Sequence, residues 1–289
     1  MNYAFALHGG AGARRGRDYA TAESHMQELA SKAGERLASG DSALDVVEYA
    51  VARMETSGLY VAGRGSAPNT AGHVELDASI MNGADRRAGA VASIRDVENP
   101  VCVARRVMEM TPHVMLSGKG ANVFALTQGF EEVADPASHY VLPVGVDAGE
   151  VDDMSHGTVG AVALDAGGNL AAATSTGGTF GKMQGRVGDT PIIGSGTWAD
   201  GEVAVSCTGT GEFFIRTGAA ISVAHYVRAG ASLRDAIDEV LGDVRELGGD
   251  GGIIAVTRAG RIEMVYNSEG MKRASATPHA GVYVATFAD

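Results

Sequence analysis

Apolar residues along this chain follow two periods, the two-residue period of strands and the 3.6-residue period of helices, and each half carries both. The run Tyr3-Ala4-Phe5-Ala6-Leu7 predicts a buried strand, stopped by His8-Gly9-Gly10-Ala11-Gly12. Met26, Leu29, Ala30, Ala33 and Leu37 recur at helical spacing, so a helix is expected over 21–38, ended by Gly40. Ser42 with Asp45 predicts a capped second helix to about residue 55. Strands over 74–81 and 88–94 flank Asn82-Gly83, Asn99-Pro100 opens a helix to 110, and 118–128 forms another.

The texture changes over 131–157, where Asp135-Pro136, Pro143 and the acidic group Asp147, Glu150, Asp152 and Asp153 replace any periodicity. This stretch predicts an exposed linker. Order resumes with Thr158-Val159-Gly160-Ala161-Val162-Ala163-Leu164, and a second strand over 170–175 follows Asp165-Ala166-Gly167-Gly168-Asn169, a hairpin signature. A strand over 202–208, helices over 211–228 and 232–247, and a closing hairpin of 253–257 with 262–267 complete the pattern. Strands and helices in both halves predict two sheets packed face to face with helices outside.

Composition narrows the class. The chain has 289 residues and 41 glycines, roughly twice the usual share, dispersed among alternating segments rather than gathered in repeats. That pattern fits a sheet-rich fold with tight turns and close backbone approaches. A net charge of −12 argues against nucleic acid. Cys102 and Cys207 match no metal or redox spacing, and no apolar run reaches membrane-spanning length. A soluble cytoplasmic protein is expected, since the first residues lack a signal-peptide pattern.

Common catalytic motifs are missing: there is no G-x-S-x-G, no complete phosphate or dinucleotide loop, and no H-E-x-x-H. What remains is a set of threonines and glycines. Thr158 follows Gly157 at the head of a strand, after a linker. Cleavage there would make it an amino terminus whose α-amine can accept the proton of its own hydroxyl. Thr176, in Thr174-Ser175-Thr176-Gly177-Gly178, closes the partner strand and falls within side-chain reach of Thr158. Gly185-Arg186-Val187-Gly188-Asp189 supplies a guanidinium for a carboxylate and a carboxylate for an ammonium, the two groups of an amino acid, or else forms a surface turn. Ser206-Cys207-Thr208-Gly209-Thr210-Gly211-Glu212 leaves a strand for a helix, where backbone amides and the Thr208 hydroxyl can stabilise an oxyanion.

In sequence order, H-G-T-V-G-A-V-A-L-D, T-S-T-G-G, G-R-V-G-D-T-P and C-T-G-T-G-E resemble the plant-type asparaginase and isoaspartyl peptidase family of N-terminal nucleophile (Ntn) hydrolases. H-G-G-A-G, L-Y-V-A-G-R-G-S, V-E-L-D-A-S-I-M-N-G, N-P-V-C-V-A-R-R-V and Asn267-Ser268-Glu269-Gly270-Met271 extend the likeness over nearly the whole chain. The resemblance implies an α+β fold, a four-layer αββα sandwich forming one Ntn-hydrolase domain over 1–289. It implies self-cleavage into an α chain 1–157 and a β chain 158–289, and a dimer of such α/β pairs. It makes Thr158 the nucleophile assisted by Thr176, with Thr208 and Gly209 as oxyanion hole. Arg186 and Asp189, helped by Gly209 and Gly211, would hold the aspartyl α-groups. No catalytic cofactor is implied, only a structural sodium ion on the backbone carbonyls of Glu55, Ser57, Tyr60, Ala62 and Arg64.

The implied reaction is hydrolysis of β-aspartyl dipeptides, with weaker action on asparagine. One departure bears on that ranking: Val61 stands where the family usually has asparagine. The excess of acidic residues, 35 against 23 basic, suggests a preference for basic leaving groups such as arginine or lysine. A glycosylasparaginase, or a binding protein that retains amino acids without cleaving, are the alternatives.

Overall fold

The computed structural model describes residues 2–144 and 157–288. The first half supplies β1 (Ala4–Ala11), α1 (Ala20–Ala38), α2 (Ala43–Ser57), β2 (Leu76–Asn82), β3 (Ala88–Ile94), α3 (Pro100–Met110), β4 (Met115–Ser117), α4 (Gly118–Thr127) and α5 (Pro136–His139). The second begins with β5 (Thr158–Leu164), β6 (Leu170–Thr176), β7 (Thr197–Ala199) and β8 (Val203–Gly209). It continues through α6 (Gly211–Thr217), α7 (Ala219–Arg228), α8 (Leu233–Glu246), β9 (Gly251–Thr257), β10 (Ile262–Tyr266), β11 (Met271–Thr277) and β12 (Gly281–Ala285).

Eight strands form one sheet in the order β12-β11-β1-β5-β6-β2-β3-β4, and four form a second, β10-β9-β8-β7. Helices α1 to α4 cover the outer face of the large sheet through Met26, Leu37, Met54, Ile80 and Val91. Helices α6 to α8 cover the small sheet through Phe214, Val223, Ile237 and Val240. Between the sheets lies a layer rich in small residues, Ala4, Ala6, Val162, Ala172, Ala204 and Ile254, which lets the two backbones approach closely. The architecture is thus a four-layer αββα sandwich of the α+β class.

Several local expectations hold for stated reasons. Ser42 caps α2 by accepting the Asp45 N–H at 3.1 Å, and Gly58 ends that helix at φ 73°. Strands β5 and β6 pair in antiparallel register around the Asp165–Asn169 turn. Three expectations need correction. β1 runs through Ala11 rather than stopping at His8, because His8 pairs with Gly160 on one side and Arg273 on the other. The helix expected over 211–228 breaks at Gly218, whose φ of 55° puts it in the left-handed region. The closing hairpin is not last: β11 and β12 follow it and extend the large sheet beyond β1. The described part of the linker, residues 131–144, is largely exposed and is tied to the fold by backbone bonds. The Val133 N–H donates to the Asp96 carbonyl and the Val141 N–H to the Arg64 carbonyl, each at 2.9 Å. Residues 145–156, with the acidic group Asp147, Glu150, Asp152 and Asp153, lie outside the described residues.

Candidate active site

At the head of β5, Thr158 stands directly opposite Thr176, the last residue of β6. Both side chains are buried, and the Thr158 hydroxyl donates to Thr176 Oγ1 at 3.1 Å. Thr176 in turn donates to the carbonyl oxygen of Gly157 at 3.2 Å and accepts the Gly178 N–H at 2.9 Å. One hydroxyl therefore links the side chain of Thr158 to the carbonyl of the peptide bond that precedes it.

That peptide bond is gripped from two sides. A Cβ at Gly10 would lie 3.0 Å from Gly157 Cα and 3.2 Å from Thr158 N, and Gly10 holds φ 98°. A Cβ at Gly157 would lie 2.6 Å from Val61 Cβ, so only glycine fits against this valine. The Val61 carbonyl also accepts the Gly177 N–H at 3.0 Å, tying the 58–66 loop to the glycine turn after β6.

A narrow cleft beside Thr158 and Thr176 is walled by Gly178, Thr179, Arg186, Asp189, Gly209 and Gly211. The Arg186-to-Asp189 segment is thus not a surface turn. Asp189 is buried, and burial pushes its carboxyl up to about 7, against the opposing pull of Arg186. Among the described residues, Asp189 Oδ2 has no hydrogen-bond partner. Arg186 reaches Glu212 through two bonds, Nε to Oε1 at 2.8 Å and Nη2 to Oε2 at 2.7 Å. A Cβ at Gly211 would sit 2.9 Å from Asp189 N and Oδ1, so this glycine lets the two segments close on each other. Thr208, next to Gly209 of the cleft wall, is fully buried, and its Oγ1 accepts the Ala11 N–H at 3.2 Å.

Sequence reasoning gave no individual role to three neighbours. His8 is buried beneath Thr158, with Nδ1 3.0 Å from the Thr158 carbonyl oxygen, and burial lowers its pKa to about 3. Asp77 stands opposite Thr176 on β2 and accepts the Ser93 N–H at 2.7 Å, holding Ser93 at φ 49°. Glu212 was visible only as the end of a motif. The signals were the strand positions of His8 and Asp77 and the reach of Glu212 back to Arg186, which only the folded register reveals.

The ion site inferred from resemblance falls on the C-terminal end of α2 and the loop after it. Cβ atoms at Gly63 and Gly65 would collide with the carbonyl oxygens of Glu55 and Tyr60, so two glycines let the loop pass close to these carbonyls, and the Tyr60 oxygen accepts the Ala62 N–H at 2.8 Å. The Ala62 carbonyl accepts the Gly65 N–H at 3.1 Å and the Arg64 carbonyl accepts Val141 N–H at 2.9 Å. Each oxygen keeps a second lone pair. Among the described residues, no group of three His, Cys, Asp or Glu side chains could hold a metal.

Two stacked sheets between helices, with a threonine heading a central strand, define the architecture of an Ntn hydrolase. Residues 1–144 and 139–284 match the asparaginase family, and the chain belongs to it. It is 45% identical to an isoaspartyl peptidase of Salmonella typhimurium, an alignment covering 98% of this chain and 99% of the relative. An isoaspartyl peptidase of Escherichia coli is 43% identical over 96% of this chain and 95% of its own length. A plant-type L-asparaginase of Thermococcus kodakarensis is 40% identical, with 96% and 99% covered.

Proposed function

We propose that this chain cleaves itself between Gly157 and Thr158 and then hydrolyses β-aspartyl amides, isoaspartyl dipeptides in preference to asparagine. The observation that carries the reading is the hydroxyl sequence from Thr158 Oγ1 to Thr176 Oγ1 to the Gly157 carbonyl, at 3.1 and 3.2 Å. It draws on the nucleophile's proton while polarising the carbonyl to be attacked. The names carried by relatives 38–45% identical, isoaspartyl peptidase and L-asparaginase, favour this over a glycosylated substrate.

In self-cleavage, Thr158 Oγ1 attacks the Gly157 carbonyl carbon, its proton passes to the Thr158 nitrogen and the C–N bond breaks, which moves the acyl group from nitrogen to oxygen as an ester. Water hydrolyses the ester, leaving a carboxylate on Gly157 and a free α-amine on Thr158. In turnover that amine takes the proton from Oγ1, which attacks the β-carbonyl of the substrate. The Gly209 N–H and the Thr208 hydroxyl, whose oxygen already accepts from Ala11, stabilise the oxyanion. The proton passes to the departing amine, and water releases aspartate from the threonyl ester. Arg186 binds the substrate α-carboxylate and Asp189 its ammonium, with Gly209 and Gly211 giving the backbone room to close.

A sodium ion on the carbonyls of Glu55, Ser57, Tyr60, Ala62 and Arg64 would stiffen the loop that carries Val61, and would take no part in the reaction. Glu55 and Ser57 lie in the last turn of α2, where unpaired carbonyls and the helix dipole favour a cation. We further propose a dimer of α/β pairs working in the cytoplasm, a setting that suits Cys102 and Cys207, both unpaired. Basic leaving groups are expected to be preferred, given the charge of −12. Among the described residues no helix is long and apolar enough to cross a membrane.

The test is turnover of β-aspartyl-leucine, β-aspartyl-arginine, asparagine and a glycosylated asparagine by purified protein across a salt series. The reading requires the dipeptides to be best. Equal kcat/KM for the arginine and leucine dipeptides at low salt would end the charge argument, and preference for the sugar-bearing substrate would end the main reading.

A further inference from the structure

Between the two sheets, in a layer otherwise built from apolar side chains, runs a continuous line of fully buried polar side chains. His8 Nε2 meets Ser206 Oγ at 2.9 Å, and Ser206 Oγ meets Thr174 Oγ1 at 2.8 Å. Thr197 donates to Thr174 Oγ1 at 2.5 Å. Ser79 Oγ lies 2.8 Å from Thr197 Oγ1 and 2.6 Å from the Thr190 carbonyl oxygen. The links alternate between sheets: Ser79, Thr174 and His8 come from β2, β6 and β1 of the large sheet, Thr197 and Ser206 from β7 and β8 of the small one.

Register makes the line possible. Across the large sheet Ser79 pairs with Thr174, Thr174 with Gly160, and Gly160 with His8, one row of side chains facing the small sheet. Across the small sheet Thr197 pairs with Ser206. Gly160 interrupts the row because a Cβ there would fall 2.5 Å from His8 Nε2 and collide with Ser206 Oγ. Its missing side chain is the space in which the histidine and serine meet.

The carbonyl at one end fixes the direction of the line. The Thr158 carbonyl oxygen can only accept, so His8 carries its proton on Nδ1 and its Nε2 accepts from Ser206. Ser206 then accepts from Thr174, whose single proton also faces the Gly196 carbonyl oxygen at 3.3 Å, and Thr174 accepts from Thr197. At the far end Ser79 has a single proton for two acceptors, Thr197 Oγ1 and the Thr190 carbonyl. Burying five polar side chains between sheets costs more than filling the space with alanine and valine unless every bond is made. One end of the line lies under Thr158, and the other under Thr190, the residue after Asp189, in the wall of the cleft.

We propose that Ser79, Thr197, Thr174, Ser206 and His8 form a positioning line that couples the segment holding the substrate's ammonium to the nucleophile. This rests on the reading of the cleft given above. A shift of Thr190 moves Ser79's proton between its two acceptors, and the change reaches the Thr158 carbonyl through the hydrogen bonds of the line. None of the five touches substrate.

The experiment compares Thr197→Val, which keeps the shape and removes the central hydroxyl, with Thr197→Ser, which restores it. Self-cleavage rate is measured, and kcat and KM for a β-aspartyl dipeptide are expressed per cleaved subunit. Thr197→Val is expected to lower kcat per cleaved subunit about tenfold, equivalent to about 1.4 kcal/mol, with KM nearly unchanged. Thr197→Ser is expected to recover most of that loss. Ser79→Ala, which breaks the far end alone, is read in the same way should Thr197→Val fail to fold. Ser79→Ala with Ser206→Ala is expected to be no worse than the more damaging single variant, because one line can be broken only once. Wild-type kcat per cleaved subunit in Thr197→Val or in Ser79→Ala, or strict additivity in the pair, would overturn the proposal. If wild type hydrolyses none of the dipeptides, the substrate reading fails instead, and the self-cleavage rates of the same variants decide the line.

Discussion

Thr158 and Thr176 face each other across the β5–β6 pair with hydroxyl oxygens 3.1 Å apart, and Thr176 points onward to the Gly157 carbonyl. Removing the second hydroxyl while keeping its shape leaves the nucleophile without its acceptor and the carbonyl without its donor. Thr176→Val is therefore expected to slow self-cleavage by about ten- to a hundredfold, and Thr176→Ser to retain most of the rate. The check is the time course of chain cleavage after purification, followed by denaturing electrophoresis.

Val61 and Gly157 make a steric prediction. An alanine at 157 would bring its Cβ to 2.6 Å from Val61 Cβ. Gly157→Ala should therefore block or greatly slow cleavage, and Gly157→Ala with Val61→Ala should regain part of it. Full cleavage of the single variant would show that the valine contact is irrelevant to the scissile bond.

The same valine bears on substrate choice. An apolar side chain beside the nucleophile offers no hydrogen bond, and Val61→Asn supplies one. Asparagine hydrolysis relative to a β-aspartyl dipeptide is expected to rise in that variant. A wild type that already prefers asparagine would contradict this account of Val61.

Arg186 lines the cleft and is held by both oxygens of Glu212. A lost charge-assisted bond to a carboxylate is worth roughly 1.5–3 kcal/mol. Arg186→Ala is thus expected to lower kcat/KM about ten- to a hundredfold while leaving self-cleavage intact, since the scissile carbonyl is polarised by Thr176. Unchanged kinetics would mean that the arginine serves Glu212 alone.

How much of this could be read from the chain differs by range of interaction. The hairpin that opposes Thr158 to Thr176 is local, with seven residues in each strand around a glycine turn, and the alternating pattern predicts it. Strands β11 and β12 were invisible. β11 pairs with β1, and Lys272 and Arg273 give it the look of an exposed segment. Both are nonetheless buried, and Arg273 lies over the rings of Tyr266 and Tyr283. The partner of Arg186 was hidden for the same reason: the pattern offered Asp189 three residues away, and the fold supplied Glu212. Ser79, Thr174, Thr197 and Ser206 are ordinary polar strand residues until register aligns them.

Asp189 gives the pH dependence a definite form. Its carboxyl is raised to about 7 by burial, and it must be ionised to receive an ammonium. The free enzyme then needs two deprotonations, Asp189 and the α-amine of Thr158, so kcat/KM should fall steeply below about pH 7, with a slope near two. Bound ammonium holds Asp189 ionised, so kcat should fall with a slope near one. Equal slopes in the two profiles would remove Asp189 from ammonium recognition.

The central claim is that Thr158 becomes a chain terminus, and the mass of the purified protein under denaturing conditions tests it most directly. Two species are expected, ending at Gly157 and beginning at Thr158, with a single intact chain in Thr158→Ala. A wild-type chain that stays intact while hydrolysing β-aspartyl dipeptides at full rate would contradict the account.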